Sequence, residues 1–340
     1  MMKRRYGYAI FAFLGMLVLI LDAKTALTGA GAAVQLCLAS VIPSLFPFFV
    51  LSNLLTGGLS GSSIPIFRPM GRLLGIPQGC ESIFVTGLLG GYPSGAQAVH
   101  QAWKDGCMSR HDALRMLSFC SNAGPAFLFG ILGQKFPALW MIWLLWGIHI
   151  LSAMLVAGLQ PHVPGDGAIS GNTKAVSLTV ALKQSVTVCG WVCGWIMVFR
   201  VMMAFLSRWF LWLLPQEGQV AVYGLLELAG GCCALGDVPN LGLRFILASG
   251  MLGFGGICVA MQTASVTSGL HMGSYWLGKV TQCAISVSLA SIAQMFLFTA
   301  QQRVRIPAVI AIGISVLVIF LGSLTRKRKN NSSIPAVIGV

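Results

Sequence analysis

The sequence predicts an all-α polytopic membrane protein built from two inverted repeats, with about eight membrane-crossing helices and two re-entrant hairpins. Three observations lead there. First, 56% of the 340 residues are hydrophobic and only 9% are charged, with mean hydropathy +0.83. Soluble domains carry roughly 25% charged residues. Second, helix-length apolar segments recur at 6–26, 30–57, 137–160, 186–213, 271–300 and 306–324, each near the length a bilayer requires. Third, four more apolar segments, at 81–99, 109–133, 219–235 and 241–269, are interrupted by Gly, Pro or polar residues. Such breaks persist at membrane depth only where protein or water satisfies the freed backbone groups.

The pieces recur in one order. Unit A is a long helix (30–57), an interrupted segment (81–99), a broken helix (109–133) and a clean span (137–160). Unit B is 176–213, then 219–235, 241–269 and 271–300. "GLLGGYPSGAQA" in A corresponds in kind to "GLLELAGGCCAL" in B, and "SNAGPAFLFG" to "GFGGICVAMQ". The organisation expected is a first transmembrane helix (1–29), repeat A (30–160), a loop (161–175), repeat B (176–300), and a last transmembrane helix with a basic cytoplasmic tail (301–340).

Charge sets the orientation. The net charge of +14 sits mostly in termini and loops: Lys3, Arg4 and Arg5, then Arg68, Arg72, Lys104, Arg110 and Arg115, then Arg326 to Lys329. That is the positive-inside pattern, with attraction to anionic lipid as a consequence. No basic stripe interleaves with aromatics, so nucleic acid is not an expected partner. The basic head and apolar run at the N-terminus resemble a signal peptide, but no small-x-small site follows closely, so a retained first span is expected. If 81–99 and 219–235 do not cross, Arg68, Arg72, Lys104 and the tail fall inside and the link 214–218 falls outside. Lys24, Arg303 and Arg305 fit this scheme less well. The two units then have opposite topology, and hairpin A enters from the cytoplasm while hairpin B enters from outside. Inverted repeats with broken helices meeting near the midplane characterise secondary transporters.

The candidate substrate residues lie at the breaks. At the tip of hairpin A, Gly91 and Gly95 permit a tight reversal, Pro93 fixes φ, and Tyr92, Ser94 and nearby N–H groups can meet an anion. In the broken helix of A, Pro125 suits the first turn of a half-helix. Ser121, Asn122 and Gly124 then cap it or touch the substrate, and its positive end faces the midplane. In unit B, Glu227 and Gly230 form the second tip. An intramembrane carboxylate is a functional candidate, here for a coupling H+ or Na+ or for a substrate donor group. Gly255 and Gln262 complete the second broken helix. Small residues of this kind also serve plain helix packing, and Glu227 could pair structurally with Arg200 or Arg244. Arg200, in "IMVFRVMMAFL", reads as the lone cation deep in a span, either a counter-charge for an anion or the partner of Glu227.

Other chemistry is unsupported. The ten cysteines lie mostly in apolar segments without paired C-x2-C spacing and read as small buried hydrophobes. The five histidines are dispersed, so no metal site is expected. The phosphate-binding pattern GxxxxGK[ST] is absent, and no nucleophile–base–orienter set emerges at helical spacing. No enzyme activity and no resident cofactor are expected.

"GLLGGYPSGAQAV", "SRHDALRMLSFCSNAGPAFLFGILG" and "GMLGFGGICVAMQ" together resemble the sporulation integral membrane protein family YlbJ, also called SpoVV. That family belongs to the wider nucleoside-recognition, or Gate, group, which includes concentrative nucleoside transporters. The resemblance covers about residues 30–300. It implies two Gate-type repeats and transport of dipicolinic acid during sporulation, in the outer forespore membrane of a bacterial spore former. By motif it places substrate contacts at Tyr92, Ser94, Asn122, Gly124 and the hairpin around Glu227. Two rivals stay open: a nucleoside or other small-metabolite carrier of the same fold, and a membrane scaffold for spore assembly. The coupling ion, the direction of transport and the oligomeric state are open.

Overall fold

The structure is a computed structural model that describes residues 2–59, 65–160 and 176–304. The expected last span (306–324), the basic tail and the loop at 161–175 lie outside the described residues.

The described chain is helical. Helix α1 (Met2–Leu21) ends at Asp22, whose carboxylate accepts the Thr25 N–H at 3.2 Å and starts α2 (Ala23–Leu36). The second apolar helix therefore begins at Ala23, ahead of the expected residue 30. It continues into α3 (Ile42–Leu59) through a wider turn at Cys37–Val41, where the Ile42 N–H reaches back to the Cys37 carbonyl. Pro43 and Pro47 follow at once, and each lacks the N–H that an α-helix would return four residues back. After α4 (Arg68–Leu74) comes a helical hairpin, α5 (Glu81–Gly90) and α6 (Ser94–Lys104).

Segment 109–133 is two short helices, α7 (Arg110–Met116) and α8 (Pro125–Ile131), joined by the non-helical stretch 117–124. Two long spans follow: α9 (Leu139–Leu159) and α10 (Leu178–Trp209). A second hairpin, α11 (Gln216–Leu226) and α12 (Leu228–Ala234), turns at Glu227. A helix broken at Gly255 gives α13 (Leu241–Phe254) and α14 (Gly256–Val266), and α15 (Gly273–Leu297) closes the bundle.

Among the described residues, five helical stretches are long and apolar enough to cross a membrane: Ala23–Leu55, Leu139–Leu159, Leu178–Trp209, Leu241–Val266 and Gly273–Leu297. The apolar part of α1, Ala9–Leu21, is shorter. Large apolar side chains such as Phe11, Leu27, Trp191 and Phe296 point outward. In a bilayer that face is matched by lipid tails, so close packing and internal hydrogen bonds must hold the helices together.

Each hairpin closes on a glycine pair. A Cβ on Gly95 would lie 2.7 Å from Gly87 Cα, and one on Gly231 would lie 2.2 Å from Gly224 Cα. These contacts leave no room for any side chain. Helix α15 lies along α13 and α9 and crosses the non-helical stretch of unit A, where a Cβ on Gly278 would meet the Ser118 carbonyl at 2.1 Å. Contacts of α6 with α14 and of α8 with α12 bring the breaks of the two units together.

Candidate functional site

The tip of hairpin A is built on Gly91, whose φ of +78° belongs to the region that favours glycine. Its carbonyl accepts both the Ser94 N–H at 2.9 Å and the Ser94 hydroxyl at 2.6 Å. The Ser94 hydroxyl thus donates within the turn. Gly95 is a packing residue, since the Cys120 carbonyl occupies the notch beside it. Tyr92 projects across to unit B, donating its hydroxyl to the Leu252 carbonyl at 2.9 Å, with its ring against Gly255. Gly255 has φ of +82°, and a Cβ there would sit 3.2 Å from Tyr92 Cζ.

The non-helical stretch of unit A is held by side chains from α9 and α15. Asn122 is fully buried. It donates Nδ2 to the Phe119 carbonyl at 2.7 Å and accepts from Gln282 Nε2 at 3.0 Å. The Ala123 N–H donates to His149 Nε2 at 3.0 Å. Gly124 packs face to face with Gly91: a Cβ on Gly124 would lie 3.0 Å from the Gly91 nitrogen.

The tip of hairpin B is Glu227. Its carboxylate accepts the N–H groups of Ala229 at 2.8 Å and Gly230 at 2.6 Å, capping α12. Arg200 Nε from α10 lies 3.5 Å from Glu227 Oε2. Arg244, the other partner considered, instead donates to the carbonyls of Val238 and Lys135. Glu227 is thus paired and doubly hydrogen-bonded. The carboxylate thus occupies the first N–H groups of this half-helix.

One cavity, about 460 Å³ of space outside atoms counting its mouth, lies where these pieces meet. Of the candidate residues it brings together Gly91, Tyr92, Gly124, Glu227 and Gln262, with Ser44, Leu45, Ala123, Phe127 and Ile196 among the other walls. Gln262 offers Nε2 to Cys258 Sγ at 3.4 Å, a weak bond that leaves most of its amide to the cavity. Gly230 and Gly255 stand behind Glu227 and Tyr92. Ser94, Gly95, Ser121 and Asn122 are not in the wall.

Sequence reasoning missed Lys279. Arg200 is not the lone cation deep in a span, because Lys279 lies fully buried in α15. Its Nζ donates to the Ser121 carbonyl, to Gln282 Oε1 at 2.8 Å and to the Tyr92 hydroxyl at 3.3 Å. The signal was present in "GSYWLGKVTQCA": a lysine in a span-length apolar helix, with a glutamine one turn on at i+3. His149, fully enclosed beside Gln282, is a second buried polar group, with no spacing in the sequence to single it out from the other histidines.

No family model matches the chain, and no solved structure matches it. Among curated proteins the chain is similar to the sporulation integral membrane protein YlbJ of Bacillus subtilis (strain 168), with 34% identity over 101 residues. The match covers 28% of this chain and spans about a quarter, 24%, of that protein's length. Together with the five apolar helices, it makes one conclusion plain. The chain is an integral membrane protein. Several buried polar residues of this integral membrane protein, among them Asn122, His149, Glu227, Lys279 and Gln282, gather at the breaks of its helices.

Proposed function

We propose that this protein is a secondary transporter that moves a small anionic metabolite by alternating access, with dipicolinate during sporulation as the substrate to test first. The observation that carries the reading is the shared cavity. Both hairpin tips and both broken helices contribute to it, through Gly91 and Tyr92, Glu227, Gly124 and Gln262. A site at the meeting point of broken helices can be opened from either side by moving one hairpin against the rest.

On this reading the two units are inverted Gate-type repeats, about eight helices cross the membrane, and the hairpins dip in from opposite faces. Tyr92 and Phe127 supply an aromatic wall suited to a flat ring. Sporulation as the setting rests on the name of the similar Bacillus protein and on the family resemblance of the hairpin motifs, as does the outer forespore membrane as the location. Coupling to H+ or Na+ through Glu227 would require its pair with Arg200 to open during the cycle. No covalent chemistry and no resident cofactor are involved.

The test is uptake by purified protein in proteoliposomes. Labelled pyridine-2,6-dicarboxylate and labelled uridine are compared with protein-free vesicles. Saturable uptake of the dicarboxylate, competed by unlabelled dicarboxylate, is expected. Uptake of uridine alone would replace the anion by a nucleoside, and no uptake of either would favour the scaffold role.

A further inference from the structure

We propose that Lys279 is the specificity-determining residue that makes the cavity prefer anions, acting from behind Tyr92. This rests on the transport reading above and adds the source of its charge selectivity.

Every group in hydrogen-bond reach of Lys279 Nζ is an acceptor. The Ser121 carbonyl can only accept. The Tyr92 hydroxyl spends its proton on the Leu252 carbonyl at 2.9 Å, so it turns a lone pair toward the lysine. The orientation of Gln282 follows from a chain of bonds. The Phe119 carbonyl fixes Asn122 Nδ2 at 2.7 Å, which turns Asn122 Oδ1 to Gln282 Nε2 at 3.0 Å, which turns Gln282 Oε1 to Lys279 at 2.8 Å. Three acceptors match the three N–H bonds of an ammonium, whereas a neutral amine would leave its lone pair facing one of them. The faces of Tyr92 and Tyr275, with centroids at 5.0 and 6.0 Å, also favour a cation there.

Among the described residues that charge has no counter-ion: no carboxylate oxygen lies within 4.0 Å of Lys279 Nζ. The other buried pair at the cavity, Arg200 and Glu227, cancels itself. Tyr92 is the bridge: its ring forms part of the cavity wall while its hydroxyl and face meet the ammonium. A positive charge one ring away, in surroundings of low dielectric, raises the potential inside the cavity. The matching ligand is a small anion that brings the missing negative charge and leaves Lys279 in place.

The experiment compares two probes of the same shape, pyridine-2,6-dicarboxylate and its neutral diamide, on the purified full chain in proteoliposomes. Wild-type protein is expected to bind the dianion more tightly. In Lys279→Met the ratio of the two affinities should fall by about tenfold or more, the scale of one charge acting across a ring at intermediate dielectric. A purely structural lysine would instead lower both affinities together, and that unchanged ratio would overturn the proposal. Should Lys279→Met not fold, the wild-type ratio decides, since equal affinities for the two probes would equally overturn it. If wild-type protein binds neither probe, this assignment is overturned, and the uridine arm of the uptake assay decides separately whether the transport reading stands.

Discussion

Arg200 Nε lies 3.5 Å from Glu227 Oε2, tying the long helix α10 to the turn of the second hairpin. Both side chains are largely enclosed, at 20% and 3% exposure. Two opposite charges held together in this way are each costly alone. Their pairing turns a hairpin tip into a fixed point of the fold.

Breaking that pair from one side should therefore cost more than removing both members. Glu227→Gln leaves the guanidinium without its anion, a loss of about 3 kcal/mol or more for a buried pair. Glu227→Gln with Arg200→Met should recover part of it. Thermal unfolding of the purified single and double variants measures the coupling. Additive losses would show that the two side chains do not interact.

Glycine-to-alanine changes should have opposite signs at two kinds of site. Gly231→Ala pushes a methyl to 2.2 Å from Gly224 Cα, and overpacking of this kind costs roughly 1–3 kcal/mol. Gly147→Ala, in α9 with nothing within 4 Å of the new methyl, should be neutral or stabilise by up to about 1 kcal/mol. Melting temperatures of the two variants in one detergent make the comparison. Equal behaviour would mean that the hairpin is not closed as described.

Gly91→Leu should abolish transport while leaving membrane insertion normal. The residue has φ of +78°, and its Cβ would lie 3.2 Å from the Gly124 nitrogen, inside the cavity wall. Insertion is checked by membrane fractionation and flux by vesicle uptake. Normal flux would remove the tip of the first hairpin from the substrate path.

Asn122→Ala should also lose transport, through the network beside the cavity. It removes the shorter bond of Gln282 Nε2, at 3.0 Å, leaves that donor the longer one to the His149 carbonyl at 3.3 Å, and loosens the glutamine that faces Lys279. The loss of one such buried hydrogen bond costs about 0.5–1.5 kcal/mol. A melting curve and an uptake assay on the same preparation separate the stability loss from the functional loss, and wild-type values in both would show that the network is dispensable.

The places where helices break were readable directly along the chain. Glycine at 91 and 255, proline at 125 and a carboxylate at 227 interrupt apolar runs, and each acts on its own backbone within a few residues, by freeing φ, removing an N–H or capping the next turn. The five long apolar helices among the described residues were readable for the same local reason. Partnership was not. Tyr92 and Lys279 are 187 positions apart, and a lysine in an apolar run has the same letters around it whether it reaches up to water or lies enclosed. The same holds for Asn122 and Gln282, 160 positions apart, and for the choice of Glu227 between Arg200 and Arg244. Those outcomes depend on which helix faces cross at the breaks, and only the packing of α15 against the opened backbone of unit A encloses Lys279 behind Tyr92.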